Sequence, residues 1–293
     1  MKRVLICLLV LALVGCSALA EVDVRIGTKL RVVNCDEYVT LRAEPDTKAA
    51  ALDRIPLGCE AVSLIDQRNG FVRVAWKGQM GWVLEKYLKS IDESGTAIDL
   101  TEAQRYNLNL FLSNFTEADF CRWEGGYCDD AIDPAQLTHF ALEHCWFNRQ
   151  NRLEWGEYFN DNNVRLPEDQ IAPVVEKYFG LKIKPSHALP YTDYKNGYYY
   201  WQETGGHISM GFACLDRAEK LDGRRCRVWF SVYGMGERWD NDVCYYTPSQ
   251  AMRAYPIEGV NPAGCAVVDV GDSGTSDRSD WTLERYAVYY DMW

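Results

Sequence analysis

Between residues 30 and 88 the chain changes character every few residues. LRVVNC, YVTLR, EAVSLI, FVRVAW and GWVL are apolar runs of strand length, and Pro45-Asp46, Pro56-Leu57-Gly58, Asn69-Gly70 and Lys77-Gly78 break them apart. Short strands joined by turns this close confine the segment to a small all-β barrel. Such a barrel buries little surface, so a covalent staple would help it. Cys35 and Cys59 are the only cysteines in the segment. A Cys35–Cys59 disulfide is expected, and closing that loop is worth roughly 3 kcal/mol in the chain-entropy picture.

The turns and aromatics also carry a resemblance. YVTLRAEPDTKAAALDRIPLGCEAV followed by GFVRVAWKGQMGWVLEKYL is similar to the bacterial SH3 (SH3b) domain. Leu41-Arg42, Pro45, Pro56, Gly58, Val74, Gly78, Gly81-Trp82-Val83 and Tyr87-Leu88 stand in the family's places, while Phe71 replaces the usual Trp. The resemblance makes residues 21–89 an SH3b domain and implies recognition of cell-wall peptide or an envelope protein partner. Physical chemistry adds a reason. Tyr38, Trp76, Trp82 and Tyr87 lie at strand ends and turns, where rings can form a shallow groove at little entropic cost. Tyr38 and Trp76 are the expected exposed contacts, and Trp82 is expected to complete the barrel core.

Residues 1–20 stand apart from the fold. Lys2 and Arg3 precede an apolar run from Val4 to Val14, followed by small residues, which is the form of an export signal. Ala18-Leu19-Ala20 fits cleavage before Glu21. Leu13-Val14-Gly15-Cys16 resembles a lipobox, which would make Cys16 the lipidated first residue and anchor the protein to a membrane without a span. The lipobox is the preferred reading, and both place the protein outside the cytoplasm. Without Lys2 and Arg3 the net charge of −11 becomes −13, and no basic run appears anywhere. That argues against nucleic acid and anionic membrane surfaces as partners.

Setting Cys7 and Cys16 aside leaves nine of the eleven cysteines. In an exported chain these are read as disulfide partners, with at least one thiol left over. None is spaced as C-x-x-C, so no metal site is assigned to them.

SIDESGTA, residues 90–97, is polar and aperiodic and is read as a linker. Residues 98–293 then form an α+β domain. Thr101-x-x-Gln104 is a capping box opening a helix through Phe111, Asp133-Pro134 starts a second helix, and a third runs from Pro167 to Gly180. The strands GYYYWQE, HISMGFACL, RCRVWFSVYG, CAVVDV and WTLERYAVYY follow, with Leu221-Asp222-Gly223 as a hairpin turn. Helices first and antiparallel strands afterwards define the class. LNLFLSNFTEADF, with KYFG further on, resembles the C-terminal region of exported SH3b proteins from anaerobic bacteria, a region to which the resemblance attaches no activity.

Several stretches imitate catalytic chemistry. GDSGTSDRSDW and the earlier LEHCW look like the Ser273 nucleophile and His144 base of a chymotrypsin-like protease. Yet His144 falls on an amphipathic helix, GDSG continues with Thr275-Ser276, and residues 271–280 have hairpin-loop composition. His139 and Glu143-His144 carry one residue too many for an inverted zinc motif, and the two histidines project about 140° apart on a helix. Cys145 lies too late in its helix for a cysteine peptidase, and His187 and His207 have no evident partners. The crowded rings Tyr191, Tyr194, Tyr198, Tyr199, Tyr200 and Trp201 suit either a packed sheet or a surface that stacks on sugars or prolines. The sequence therefore assigns no catalytic residue, metal or cofactor. It describes an exported binding protein, with a cell-wall or peptide hydrolase in the C-terminal domain as the alternative.

Overall fold

The computed structural model describes residues 25–91, 93–121, 126–129, 131–203, 211–234, 243–254, 263–272 and 274–289. The expected export signal, residues 1–20 with Cys16, and also His207 and Ser273 lie outside the described residues.

The first seven strands are β1 (Lys29–Val32), β2 (Tyr38–Arg42), β3 (Ala51–Pro56), β4 (Glu60–Arg68), β5 (Phe71–Trp76), β6 (Gln79–Leu84) and β7 (Leu88–Ser90). They form one antiparallel sheet in the order β3-β2-β6-β5-β4-β1-β7. Hairpin turns at Asn69-Gly70 and Lys77-Gly78 hold both central residues at positive φ, the twist that strands joined this tightly require. Alternate residues, among them Leu30, Val32, Leu41, Ile55, Val72, Val74 and Val83, meet in the barrel core.

The expected Cys35–Cys59 disulfide is not formed, and both residues carry free thiols against this core. The ladder already ties the two segments together: Val32 N–H donates to Cys59 O at 2.9 Å and Gly58 N–H donates to Val32 O at 2.9 Å. The chain then turns at Asn34, with φ of 57°, and Cys35 leaves the register.

The second unit contains β8 (Thr96–Ala97), α1 (Glu102–Glu117), β9 (Gly126–Cys128), α2 (Pro134–Asn148), β10 (Glu154–Trp155), β11 (Val164–Pro167) and α3 (Ile171–Phe179). It continues through β12 (Asp193–Lys195), β13 (Tyr198–Trp201), β14 (Gly211–Lys220), β15 (Arg225–Gly234), α4 (Pro248–Ala254), β16 (Ala263–Asp269) and β17 (Thr282–Tyr289). A six-stranded antiparallel sheet runs β8-β14-β15-β16-β17-β9, and a smaller one runs β10-β11-β13-β12. Rings from α1, α2 and α3, including Phe115, Phe140 and Phe179, pack with Phe230 and Tyr286 of the large sheet in one core. Helix α1 opens with the anticipated capping box at Thr101 and Gln104, but runs past Phe111 to Glu117.

The polar residues inside α1 explain that extension. Arg105 Nη1 donates to Leu215 O at 2.7 Å, and Asn109 Oδ1 accepts from Leu215 N at 2.8 Å. Ser113 Oγ accepts from Ala213 N at 3.1 Å, while Thr116 Oγ1 donates to Gly211 O at 2.6 Å. Spaced by three and four residues, these side chains share one helix face. They satisfy the open edge of β14, whose backbone groups would otherwise be buried without partners.

The barrel docks on the opposite face of the large sheet. Ile26, Val62, Leu64 and Ala75 from the barrel form a small core with Cys128, Cys265 and Ala287. Gly78 sits so close to Asp133, the N-cap of α2, that a Cβ there would lie 2.5 Å from its carboxylate. The expected linker is part of this junction. Thr96 and Ala97 pair with Lys220 and Glu219, and Glu93 lies among three arginines of the sheet. Its carboxylate bonds Arg285 and stands 3.5 Å from Arg225 and 3.7 Å from Arg227. Arg285 also donates to Gly27 O at 3.1 Å.

Candidate functional site

Of the four rings expected to form a groove, the structure brings two together. Tyr38 begins β2, and Tyr87 closes the 3-10 turn Glu85–Tyr87 that follows β6. They line an open groove of about 640 Å³, together with Cys35, Asp36, Glu37 and Arg42 among others. Val33 N–H donates to Tyr87 O at 2.8 Å, and Asn34 Nδ2 donates to Lys86 O at 3.2 Å, so the two walls are tied at one end. Tyr38 is 38% exposed, with the Arg54 guanidinium 4.5 Å from its ring centre, and Lys86 stands 4.7 Å from that of Tyr87.

Trp76 and Trp82 do not belong to this groove. Trp76 is 2% exposed, packs in the barrel core, and donates from Nε1 to Asp53 Oδ2 at 3.1 Å. Its place in the alternation Val72, Val74, Trp76 decides its direction, and proximity to the Lys77-Gly78 turn does not. Trp82 is 6% exposed on the other face of β6, beneath Arg68 and Arg73.

With this architecture and groove in place, comparison with known proteins is decisive for one segment. Residues 37–89 match the bacterial SH3 domain family. The SH3 domain of this chain adds β1 ahead of the matched residues, paired with β4 and β7. No curated protein matches the chain. Among solved structures, NlpC2 from Trichomonas vaginalis pairs with it at 10% identity, over 91% of this chain and 74% of that one, with a TM-score of 0.20.

Outside the SH3 domain, chemistry-bearing side chains are mostly committed to structure. His144 is buried between Phe140 and Tyr178, and burial pushes its pKa down to about 4. Its Nδ1 lies 3.3 Å from Asn148 Nδ2, which donates to Glu117 Oε2 at 3.4 Å. Burial raises the Glu117 carboxyl to about 7, against the weaker opposing bond from Asn148. Cys145 is wholly buried, and its thiol is pushed up to about 11. In the GDSG loop, Gly271 N–H donates to Asp269 at 2.9 Å and Asp272 N–H to Asp280 at 3.1 Å. Those donors are spent on carboxylates and do not form an oxyanion hole.

His187 does have partners, which the sequence did not reveal. Its Nε2 lies 3.0 Å from Glu168, its ring stacks on Tyr194 at 3.5 Å, and Tyr194 OH donates to the other Glu168 oxygen. The His187 bond, and then the Tyr194 bond, hold the Glu168 carboxyl below its ordinary range. The tyrosine-rich strand is largely internal: Tyr199 donates to Ser186 O, and Tyr158 and Phe159 cover Tyr200. Tyr191 is fully exposed. Among the described residues no three His, Cys, Asp or Glu side chains are grouped to hold a metal.

Proposed function

We propose that the protein is an exported, envelope-associated binding protein whose SH3 groove takes up an extended cell-wall peptide. The observation that carries this reading is the open groove between Tyr38 and Tyr87. None of its lining residues belongs to the apolar core that docks the barrel on the second domain. Docking therefore leaves the groove accessible, and its rings offer amphipathic contact area at low entropic cost. The family match over residues 37–89 supports the same use. Residues 1–20 supply the export signal, and Cys16 the lipid anchor, in this proposal.

The test is retention on purified cell walls. Because the barrel shares a core with the second domain, the full chain is the right reagent. Tyr38→Ala and Tyr87→Ala should lower retention severalfold, while Trp76→Phe should leave it unchanged. Failure of the folded wild-type chain to bind walls from any bacterial source would remove the wall-peptide reading. For anchoring, Cys16→Ala should move the protein from membranes to the soluble fraction, and a native N-terminus at Glu21 would overturn the lipid.

A further inference from the structure

The groove is a gap in the hydrogen-bond ladder of the barrel. On one side β2 pairs with β3 from Tyr38, opposite Pro56, to Arg42, opposite Ala51, with one irregularity after Leu41. On the other side, among the described residues, it meets β6 at a single pair, Arg42 with Trp82. In an antiparallel ladder successive residues turn their backbone N–H and C=O groups to opposite neighbours. Leu57 N–H donates to Glu37 O at 2.8 Å, so Glu37, Val39 and Leu41 turn theirs towards β3. Tyr38 and Thr40 therefore turn theirs towards the groove, which both residues line. The register agrees with this parity, because the residue opposite Tyr38 is Pro56, which has no N–H to offer. Leu84 and Tyr87 line the same space from the β6 side.

We infer that the ligand is an extended peptide that joins β2 as an added strand, held by the backbone N–H and C=O groups of Tyr38 and Thr40. The stretch from Tyr38 to Arg42 is about 13 Å of strand, room for about four ligand residues. In the free protein water satisfies these groups, so each new bond contributes only modestly and several must act together. The rings of Tyr38 and Tyr87 add contact area beside the added strand. Pairing of this kind reads a peptide by its extended shape and its free N–H groups, and it rejects residues that have none. The inference rests on the groove being the ligand site, and it names how that site holds a peptide.

The probe is tetra-alanine amide, titrated into the full chain by nuclear magnetic resonance, beside the same peptide N-methylated at each internal amide. The first peptide should shift the amide protons of Tyr38 and Thr40, and N-methylation should weaken binding by about tenfold. Thr40→Pro removes one N–H that faces the groove and none that bonds β3, so it should weaken binding of tetra-alanine severalfold. If that variant is unfolded by circular dichroism, the comparison of the two peptides on the wild type decides. Equal binding of the two peptides would overturn the added strand. Absence of shifts at Tyr38 and Thr40 would do the same, since backbone pairing does not depend on particular side chains. Retention on cell walls without discrimination between the peptides would overturn the added strand and leave the wall reading standing. Discrimination between the peptides without retention on walls would do the reverse.

Discussion

The two sheets of this molecule end in different ways. In the barrel, edge strand β3 is mostly exposed, carries Asp53 and Arg54, and ends at Pro56. Water satisfies its outer backbone groups, and charge and proline discourage a second chain from pairing with it. In the large sheet the edge of β14 is buried, so every polar group there needs a partner inside the protein. Side chains of α1 supply them from Arg105 to Thr116. The segment after the barrel serves both sheets, since β7 is the last strand of one and β8 the first of the other. An exposed edge tolerates change, and a covered edge does not.

The largest expected effect lies where the two sheets meet. Glu93→Ala would leave Arg285, which is nearly fully buried, without its carboxylate. Removing one partner of a buried ion pair costs about 3–5 kcal/mol, because the remaining charge is uncompensated. Chemical denaturation should show a loss of that size. A loss below about 1 kcal/mol, the range of exposed pairs, would show that the segment is the passive linker its composition suggests.

Asn109→Ala should come next. Its side chain accepts from Leu215 N–H and donates to Cys244 O at 2.9 Å, both in buried surroundings. Two orphaned backbone groups at about 1–3 kcal/mol each place the loss near 3 kcal/mol. Asn109→Asp would place a buried carboxylate against Cys244 O, so it should cost more than Asn109→Ala. Denaturation midpoints of both variants measure this, and a near-neutral Asn109→Ala would mean that the edge of β14 does not depend on α1.

These two sites show why some of the fold was legible in the sequence and some was not. Turn residues and alternation marked the barrel strands because those signals are local. EAVSLI and FVRVAW are also apolar on both faces. The structure explains it, since Ala61, Val72 and Val74 face the barrel core while Val62, Leu64 and Ala75 face the second domain. Glu93 was illegible because its arginines follow more than a hundred residues later. Asn109, Ser113 and Thr116 stood at helical spacing in an otherwise apolar segment, a pattern that asks for a buried polar edge. At the candidate site the rings stand out in the sequence, but Trp76 neighbours a turn that suggests exposure while its strand parity points it into the core.

Buried polar groups also make the second domain answer to pH, in two opposed directions. Glu117 holds its proton up to about 7, whereas the unfolded chain releases it near 4.5. Its contribution is therefore complete below 4.5 and lost as pH rises towards 7. His144 stays neutral down to about 4, whereas the unfolded chain gains a proton near 6.5. Its contribution is complete above 6.5 and lost as pH falls towards 4. Each is on the order of 3 kcal/mol, so between pH 4.5 and 6.5 the two contributions oppose each other. Relative to the wild type, Glu117→Gln should make stability rise with pH across that window, and His144→Gln should make it fall. Urea titrations at several pH values measure both slopes, and parallel profiles for the two variants would contradict the assignment.

The smallest effect belongs to the exposed edge, and it is the sharpest check on the contrast. Arg54 projects from β3 beside Tyr38, and the ring contact is its main interaction with the rest of the barrel. Exposed cation–π contacts contribute about 0.5–1 kcal/mol, and Thr is a better strand residue than Arg. Arg54→Thr should therefore change the folding free energy by no more than about 0.5 kcal/mol. What it removes is a charge that keeps another strand away, so sedimentation should show more self-association at high protein concentration. A stability loss comparable to that of Asn109→Ala, with no change in association, would mean that β3 is held by internal partners as β14 is. The two edges would then obey one rule, and the barrel's tolerance would need another cause.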